Sequence, residues 1–302
     1  MRKVSKEGVD SVKRLKKLSI RSIMDELGVS NSLARTYKDI VQNRLVVGSN
    51  KDGDIKRYLV LGCIHIPFQN KAIMQGIYDM MYDHSFDGLV LNGDFLDMGA
   101  LSSYDKGKIN TTGVTLQDEF DEGNKVLDKL MSLLPSNAEL YWNSGNHTDR
   151  YFKWKSDVNN SKYGDKVANP FWNLKLYKRG FIVNENYNSA KVDIGSLDII
   201  HGFYHNVHCA KKHLDTFRRN ILFNHTHRIQ TYREGDFAAY NCGFLGDINA
   251  PIFSYANAAM KSAWANGFAI VNSYTLTDEH FVDTIGCVNN SFVYAGKLYG
   301  AK

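Results

Sequence analysis

A chain of 302 residues with 43% apolar and 12% aromatic residues has material for one full catalytic domain and a small appendage, which excludes bulk disorder. No run approaches the roughly 18 apolar residues of a membrane-spanning helix, and the first residues are charged rather than leader-like. Cys63, Cys209, Cys242 and Cys287 form no CxxC pair, so reduced thiols, a cytoplasmic location and no membrane partner are the expectation. Charge is uneven: residues 1–50 carry 11 Lys/Arg against 5 Asp/Glu, while residues 51–302 carry 26 against 27. The excess at one end points to a polyanionic partner.

Along the chain, residues 1–17 read as a charged helix or a frayed basic arm. A helix from Ser19 follows, with Ile20, Ile23 and Leu27 on one face, then a turn at Gly28-Val29-Ser30-Asn31 and a second helix carrying Leu33, Ala34, Tyr37 and Ile40. The segment, 1–48, resembles a helix-turn-helix unit, in which Asn31, Ser32 and Arg35 would face a nucleic-acid groove. Met24 stands where such motifs prefer a small residue, and a packing or homo-oligomerisation role is the alternative. A polar link at 48–54, rich in turn formers, marks a boundary before a larger domain at 56–302.

In that domain, 58–61 reads as a buried strand, 71–84 as a helix and 88–92 as a second buried strand, which together form a βαβ unit with a parallel sheet. A helix at 116–134, a strand at 139–143, and further strands at 192–200, 220–223 and 238–241 follow. Metal-binding residue types stand in order at the carboxyl ends of these strands, where α/β enzymes place their ligands. They are Gly62-Cys63-Ile64-His65, Gly93-Asp94-Phe95-Leu96-Asp97, Gly145-Asn146-His147, Ile200-His201-Gly202 and Asn224-His225-Thr226-His227. The glycines are expected to let the backbone turn sharply there.

The ordered set resembles the calcineurin-like metallophosphoesterase superfamily, whose pattern runs D-x-H, G-D-x-x-D, G-N-H, H and G-H-x-H. The resemblance covers nearly all of residues 57–290, and Gly93–Asp97 with Gly145–Arg150 look most like phage and bacterial members. It implies a four-layer α/β/β/α sandwich, with the all-α helix-turn-helix-like unit in front, and a hydrolase acting on ester bonds. It further implies two divalent cations, Mn2+ first, one held by Cys63, His65, Asp94 and His227, the other by Asp94, Asn146, His201 and His225. Asp94 would bridge them, a metal-activated hydroxide would attack phosphorus, and His147 would protonate the leaving oxygen. Asp149 is a candidate to orient His147, and Arg150 to grip a phosphate.

Two positions depart from the pattern. Cys63 replaces an Asp, which shifts preference toward Zn2+ or Fe2+; a similar G-C-x-H occurs in RNA lariat-debranching enzymes of the superfamily, and a buried, non-ligating thiol is the other reading. Asn224 replaces a Gly and is read as a residue tolerating left-handed backbone angles. His205, His208 and His213, with Lys211, Lys212, Arg218 and Arg219, either meet substrate phosphates or lie on a solvated helix. Trp142, Trp154, Phe171, Trp172 and Trp264 serve either core packing or base stacking. With the basic N-terminus, the leading expectation is a phosphodiesterase or nuclease acting on nucleic acid, DNA before RNA. Alternatives are a phosphatase or phosphodiesterase of a small molecule or phosphoprotein, and a DNA-binding protein with a disabled site.

Overall fold

The computed structural model describes residues 19–27, 34, 55–102, 112–160 and 162–300. Helix α1 (Ile20–Leu27) is present as expected, with the Ser22 amide donating to Ser19 Oγ at 3.2 Å at its start. Asn31, Ser32, Arg35 and the link at 48–54 lie outside the described residues.

The strands β1 (Ile55–Leu61), β2 (Gly88–Asn92) and β3 (Glu139–Asn143) run parallel, and β4 (Ile182–Asn184) extends them. On the other side of β1, β10 (Gly267–Tyr274) and β11 (Glu279–Gly286) pair antiparallel, which completes a six-stranded sheet. The second sheet, five-stranded, orders β5 (Val192–Ile194), β6 (Leu197–Ile199), β7 (Asn220–Phe223), β9 (Phe237–Cys242) and β8 (Ile229–Glu234). The single strand expected at 192–200 is a hairpin instead: Gly195 and Ser196 turn the chain so that Val192 pairs with Ile199. A third, two-stranded ribbon of β12 (Ser291–Tyr294) and β13 (Lys297–Gly300) packs on α2 (Lys71–Asp83).

The alternation of side chains within β1 sets the layers. Leu59 and Leu61 join a core with Ile73, Ile77 and Met80 of α2 and Phe120, Leu127 and Leu130 of α3 (Leu116–Ser132), whereas Tyr58 and Val60 meet Leu197, Ile199 and Leu222 of the second sheet. Ile221 and Phe223 of the second sheet turn outward onto Cys209, Ala210 and Leu214 of α6 (Cys209–Phe217). The result is helix, sheet, sheet, helix, and each fully buried aliphatic contributes about 1.5–3 kcal/mol. Helix starts are capped: Asn70 accepts from Ile73 N at 3.2 Å, and Thr115 and Asp118 form a reciprocal capping box.

A chain of amides, buried at Asn143, Asn92 and Asn224 and half-buried at Asn184, joins the sheets at the carboxyl ends of their strands. Asn184 Nδ2 donates to Asn143 Oδ1 (2.9 Å), Asn143 Nδ2 to Asn92 Oδ1 (3.0 Å) and Asn92 Nδ2 to Asn224 Oδ1 (2.9 Å). The same amides also reach second-sheet carbonyls, Asn143 to Ile199 O and Asn92 to Ile200 O. Asn224 is therefore a structural amide, also donating to Gly243 O at 2.9 Å, and it is not among the residues with left-handed backbone, contrary to expectation.

Candidate metal centre

The loops after β1, β2, β3, β6 and β7 converge on one edge of the two sheets and bring the expected ligand atoms together. Cys63, His65 and His227 offer ligand atoms within 4.8 Å of one another; so do Cys63, Asp94 and His201, and so do His65, Asp97 and His147. His65 Nε2 and His227 Nε2 face each other at 3.2 Å. Asn146 Oδ1 lies 3.1 Å from His201 Nε2 and 3.0 Å from His225 Nδ1. At the centre, Asp94 directs Oδ2 to His201 Nε2 at 3.0 Å, while its Oδ1 accepts the His147 backbone N–H at 2.9 Å.

Sharp turning falls mostly on the candidate ligand residues themselves rather than on the flanking glycines. Cys63, His65, Asp94, His225 and His227 all have positive φ, between 47° and 65°. Such non-glycine conformations cost on the order of 1–3 kcal/mol each and persist where the surroundings over-determine them. Here Cys63 N donates to Gly93 O (3.0 Å) and His65 N to Asp94 O (2.9 Å), which locks the two loops together. Glycine is required at 93 and 145 by crowding: a Cβ on Gly93 would stand 2.2 Å from His201 Nδ1, and one on Gly145 2.3 Å from Asp94 Oδ1.

Burial would raise the Asp94 carboxyl, but the imidazoles of His201 and His147 hold it well below the usual carboxylate range. Burial, with His65 beside it, drives His227 well below its ordinary value, and burial with His201 lowers His225 to about 3. These rings are therefore neutral, with lone pairs available as ligands. Burial and the Asp94 charge push the Cys63 thiol well above its ordinary value, while its Sγ accepts from His225 N at 3.2 Å. The other side of Cys63 packs with Phe244 and Phe253.

The group beside His147 is Asp97, not Asp149. His147 Nδ1 lies 2.6 Å from Asp97 O and 3.2 Å from Asp97 Oδ1, whereas Asp149 pairs with Lys153 at 2.9 Å. Arg150 turns inward, donating to Asp97 O (2.9 Å), with Nη2 3.3 Å from His147 Nε2. The sequence placed Asp97 in the series of metal-binding residue types without a ligand or orienting role, and gave no sign of Glu119 of α3. Buried Glu119 accepts from Met98 N (2.5 Å) and Gly99 N (3.2 Å) and so braces the loop that carries Asp97. Burial and nearby Asp97 push its carboxyl up to about 8. His213 is also structural: Phe203 N donates to its Nε2 at 3.0 Å, its Nδ1 meets Cys209 O at 2.8 Å, and it stacks on Phe223. His205 and His208 are exposed.

The four layers are those expected of a metallophosphoesterase fold, and the candidate ligand residues gather at the strand ends. No family model and no curated protein matches the chain. Solved structures overlap it, among them Vacuolar Protein Sorting 29 from Cryptosporidium parvum, 12% identical over 82% of this chain and 96% of that one, with a TM-score of 0.40. A metallophosphoesterase from Sphaerobacter thermophilus is 11% identical over 75% of this chain and 86% of that one, with a TM-score of 0.38. Wild-type Vps29 from Entamoeba histolytica, complexed with zinc, is 13% identical over 80% and 95%, with a TM-score of 0.38. At these identities and scores no residue role transfers from those proteins. Among the described residues, no helix is long and apolar enough to cross a membrane.

Proposed function

We propose that the protein is a metal-dependent hydrolase of phosphodiester bonds, with nucleic acid as its substrate class. The observation that carries this reading is Asp94: one buried carboxylate, held ionised, with an imidazole on one oxygen and a fixed backbone donor on the other, inside a shell of Cys, His and Asn donors. The donor set fits divalent cations, because neutral imidazoles, a carboxylate and an amide oxygen converge where a glycine Cβ would not fit. Cys63, His65, Asp94 and His227 would hold one cation, and Asp94, Asn146, His201 and His225 the other. When bound, such cations supply Lewis acidity to phosphoryl oxygens and lower the pKa of water.

The remaining steps belong to side chains. Asp97 fixes the Nδ1 side of His147, which leaves Nε2 as the end that can pass a proton to a leaving oxygen. Arg150, beside that nitrogen, places a permanent positive charge where a phosphate would approach. Support for nucleic acid comes from the 11 Lys/Arg against 5 Asp/Glu in residues 1–50.

The test is metal content and hydrolysis of bis-p-nitrophenyl phosphate and DNA on one anaerobic preparation with Mn2+, Fe2+ or Zn2+. Asp94→Asn is expected to lose both metal and turnover. His147→Ala is expected to keep metal and to lose roughly 10²–10⁴-fold on DNA, whose alkoxide leaving group needs a proton, and much less on the nitrophenyl ester. Equal losses on both substrates would remove His147 as the acid, and full activity in Asp94→Asn would overturn the whole reading.

A further inference from the structure

Of the aromatic side chains singled out in the sequence, Trp142 and Phe171 are buried in the core, but Trp172 is 59% exposed. It sits on α5 (Pro170–Asn173), in a cap that runs from α4 (Asp149–Ser156) to Arg179. Tyr163, 48% exposed, lies in the same cap, tilted against Trp154 with ring centroids 6.4 Å apart. Both of these rings have a lysine on them: Lys166 Nζ is 4.2 Å from the Trp172 centroid, and Lys162 Nζ is 4.9 Å from that of Tyr163. Residues 149–179 hold eight Lys/Arg against three Asp, in a stretch from 51 to 302 that is otherwise acidic. Among the described residues no carboxylate pairs with Lys162, Lys166, Lys175 or Lys178.

The cap is wired to the metal centre. Arg150 contacts His147 and the Asp97 carbonyl; its neighbour Tyr151 donates to Asp165 Oδ1 (2.5 Å) and accepts from Asn169 Nδ2 (3.0 Å). Asn169 Oδ1 in turn caps α5 through Trp172 N at 3.0 Å. The rings and lysines are thus held on a hydrogen-bonded frame that begins at the catalytic loop.

We infer that this cap is a docking track for a single-stranded polynucleotide, with Trp172 and Tyr163 stacking on bases and Lys166 and Lys162 beside them meeting phosphates. Exposed rings interleaved with unpaired cations match a strand whose base faces are free, and a duplex hides those faces. The inference deepens the phosphodiesterase reading by naming the form of the substrate, while binding to the track does not depend on turnover.

The test uses the full chain, a labelled oligothymidine and a duplex of equal length, read by fluorescence anisotropy across a salt series, with bis-p-nitrophenyl phosphate hydrolysis measured alongside. Trp172→Ala is expected to weaken single-strand binding about 5- to 100-fold, and Trp172→Phe to restore most of it. Lys166→Ala is expected to reduce the salt slope by about 0.7. All three variants should keep the thermal midpoint and small-diester turnover of the parent. Single-strand binding unchanged in Trp172→Ala, or duplex binding weakened to the same extent, would overturn the track. A parent that binds the oligothymidine through Trp172 yet hydrolyses nothing with any cation would leave the track standing and sink the phosphodiesterase reading.

Discussion

Cys63 stands at the junction of two environments, its Sγ within reach of the His65, His227, Asp94 and His201 ligand atoms and its flank against Phe244 and Phe253. Burial and the Asp94 charge keep it a protonated thiol in the absence of a cation. If it ligates, it does so as a thiolate, and the proton must leave when the cation enters. Calorimetric titration with Zn2+ in buffers of different ionisation enthalpy is therefore expected to show about one more proton released by the parent than by Cys63→Ala. Equal release would mean that the thiol only packs. The surrounding histidines add little to that count, because His227, His225 and His65 are already lowered by burial and enter the reaction neutral.

At the scale of elements, α6 shows how an imidazole becomes architecture. His213 accepts from Phe203 N and faces Cys209 O, so it ties the helix to the loop after His201, and burial lowers it to about 4 from an ordinary 6.5. Because the folded state disfavours the charged ring, its contribution is complete above pH 6.5 and is lost as pH falls toward 4, on the order of 3 kcal/mol in all. His213→Phe, which keeps the stacking on Phe223, should be less stable at pH 7 and lose less between pH 6.5 and 4 in urea melts of the apo protein. Parallel pH profiles would refute the assignment.

What the sequence revealed at this scale follows from the range of the forces involved. The strand 88–92 was legible because a buried parallel strand is a near-continuous apolar run, and 139–143 because Leu140, Tyr141 and Trp142 form a short apolar core between polar ends. The hairpin at 192–199 was not, because Val192, Ile194, Leu197 and Ile199 fall on both sides of Gly195-Ser196 in a stretch that looks like one long strand. The pair β10 and β11 was not placed either, though Phe268–Val271 is an apolar run, since it joins β1 from more than 200 residues away. The candidate ligand residues were visible as an ordered series after the strands, while Glu119 carries no local signal: an acid in the first turn of a helix is ordinary, and only the fold turns it toward Met98 and Gly99.

Across the whole molecule, the site is also the seam between two sheets. Cys63, His65, Asp94 and Asn146 follow strands of the six-stranded sheet, and His201, His225 and His227 follow strands of the five-stranded one, so a bound cation would hold the sheets together. Beneath it the amide chain Asn184, Asn143, Asn92 and Asn224 makes the same crossing with hydrogen bonds alone. The two devices should be coupled, because the amides set the spacing into which the candidate ligand residues converge. Asn143→Leu leaves Asn92 Oδ1 and Ile199 O without their buried donor. That is expected to cost about 3 kcal/mol, or about 6–12 °C in the thermal midpoint of a domain this size. Saturating Zn2+ at about 100 times its dissociation constant should raise the parent by about 2.7 kcal/mol. The same addition should raise Asn143→Leu by less, since part of the binding energy then goes into restoring the sheet spacing, and Asp94→Asn hardly at all. Scanning calorimetry of the three proteins with and without metal decides the matter. A full metal-induced rise in Asn143→Leu would show that the amide chain supports the fold independently of the site above it.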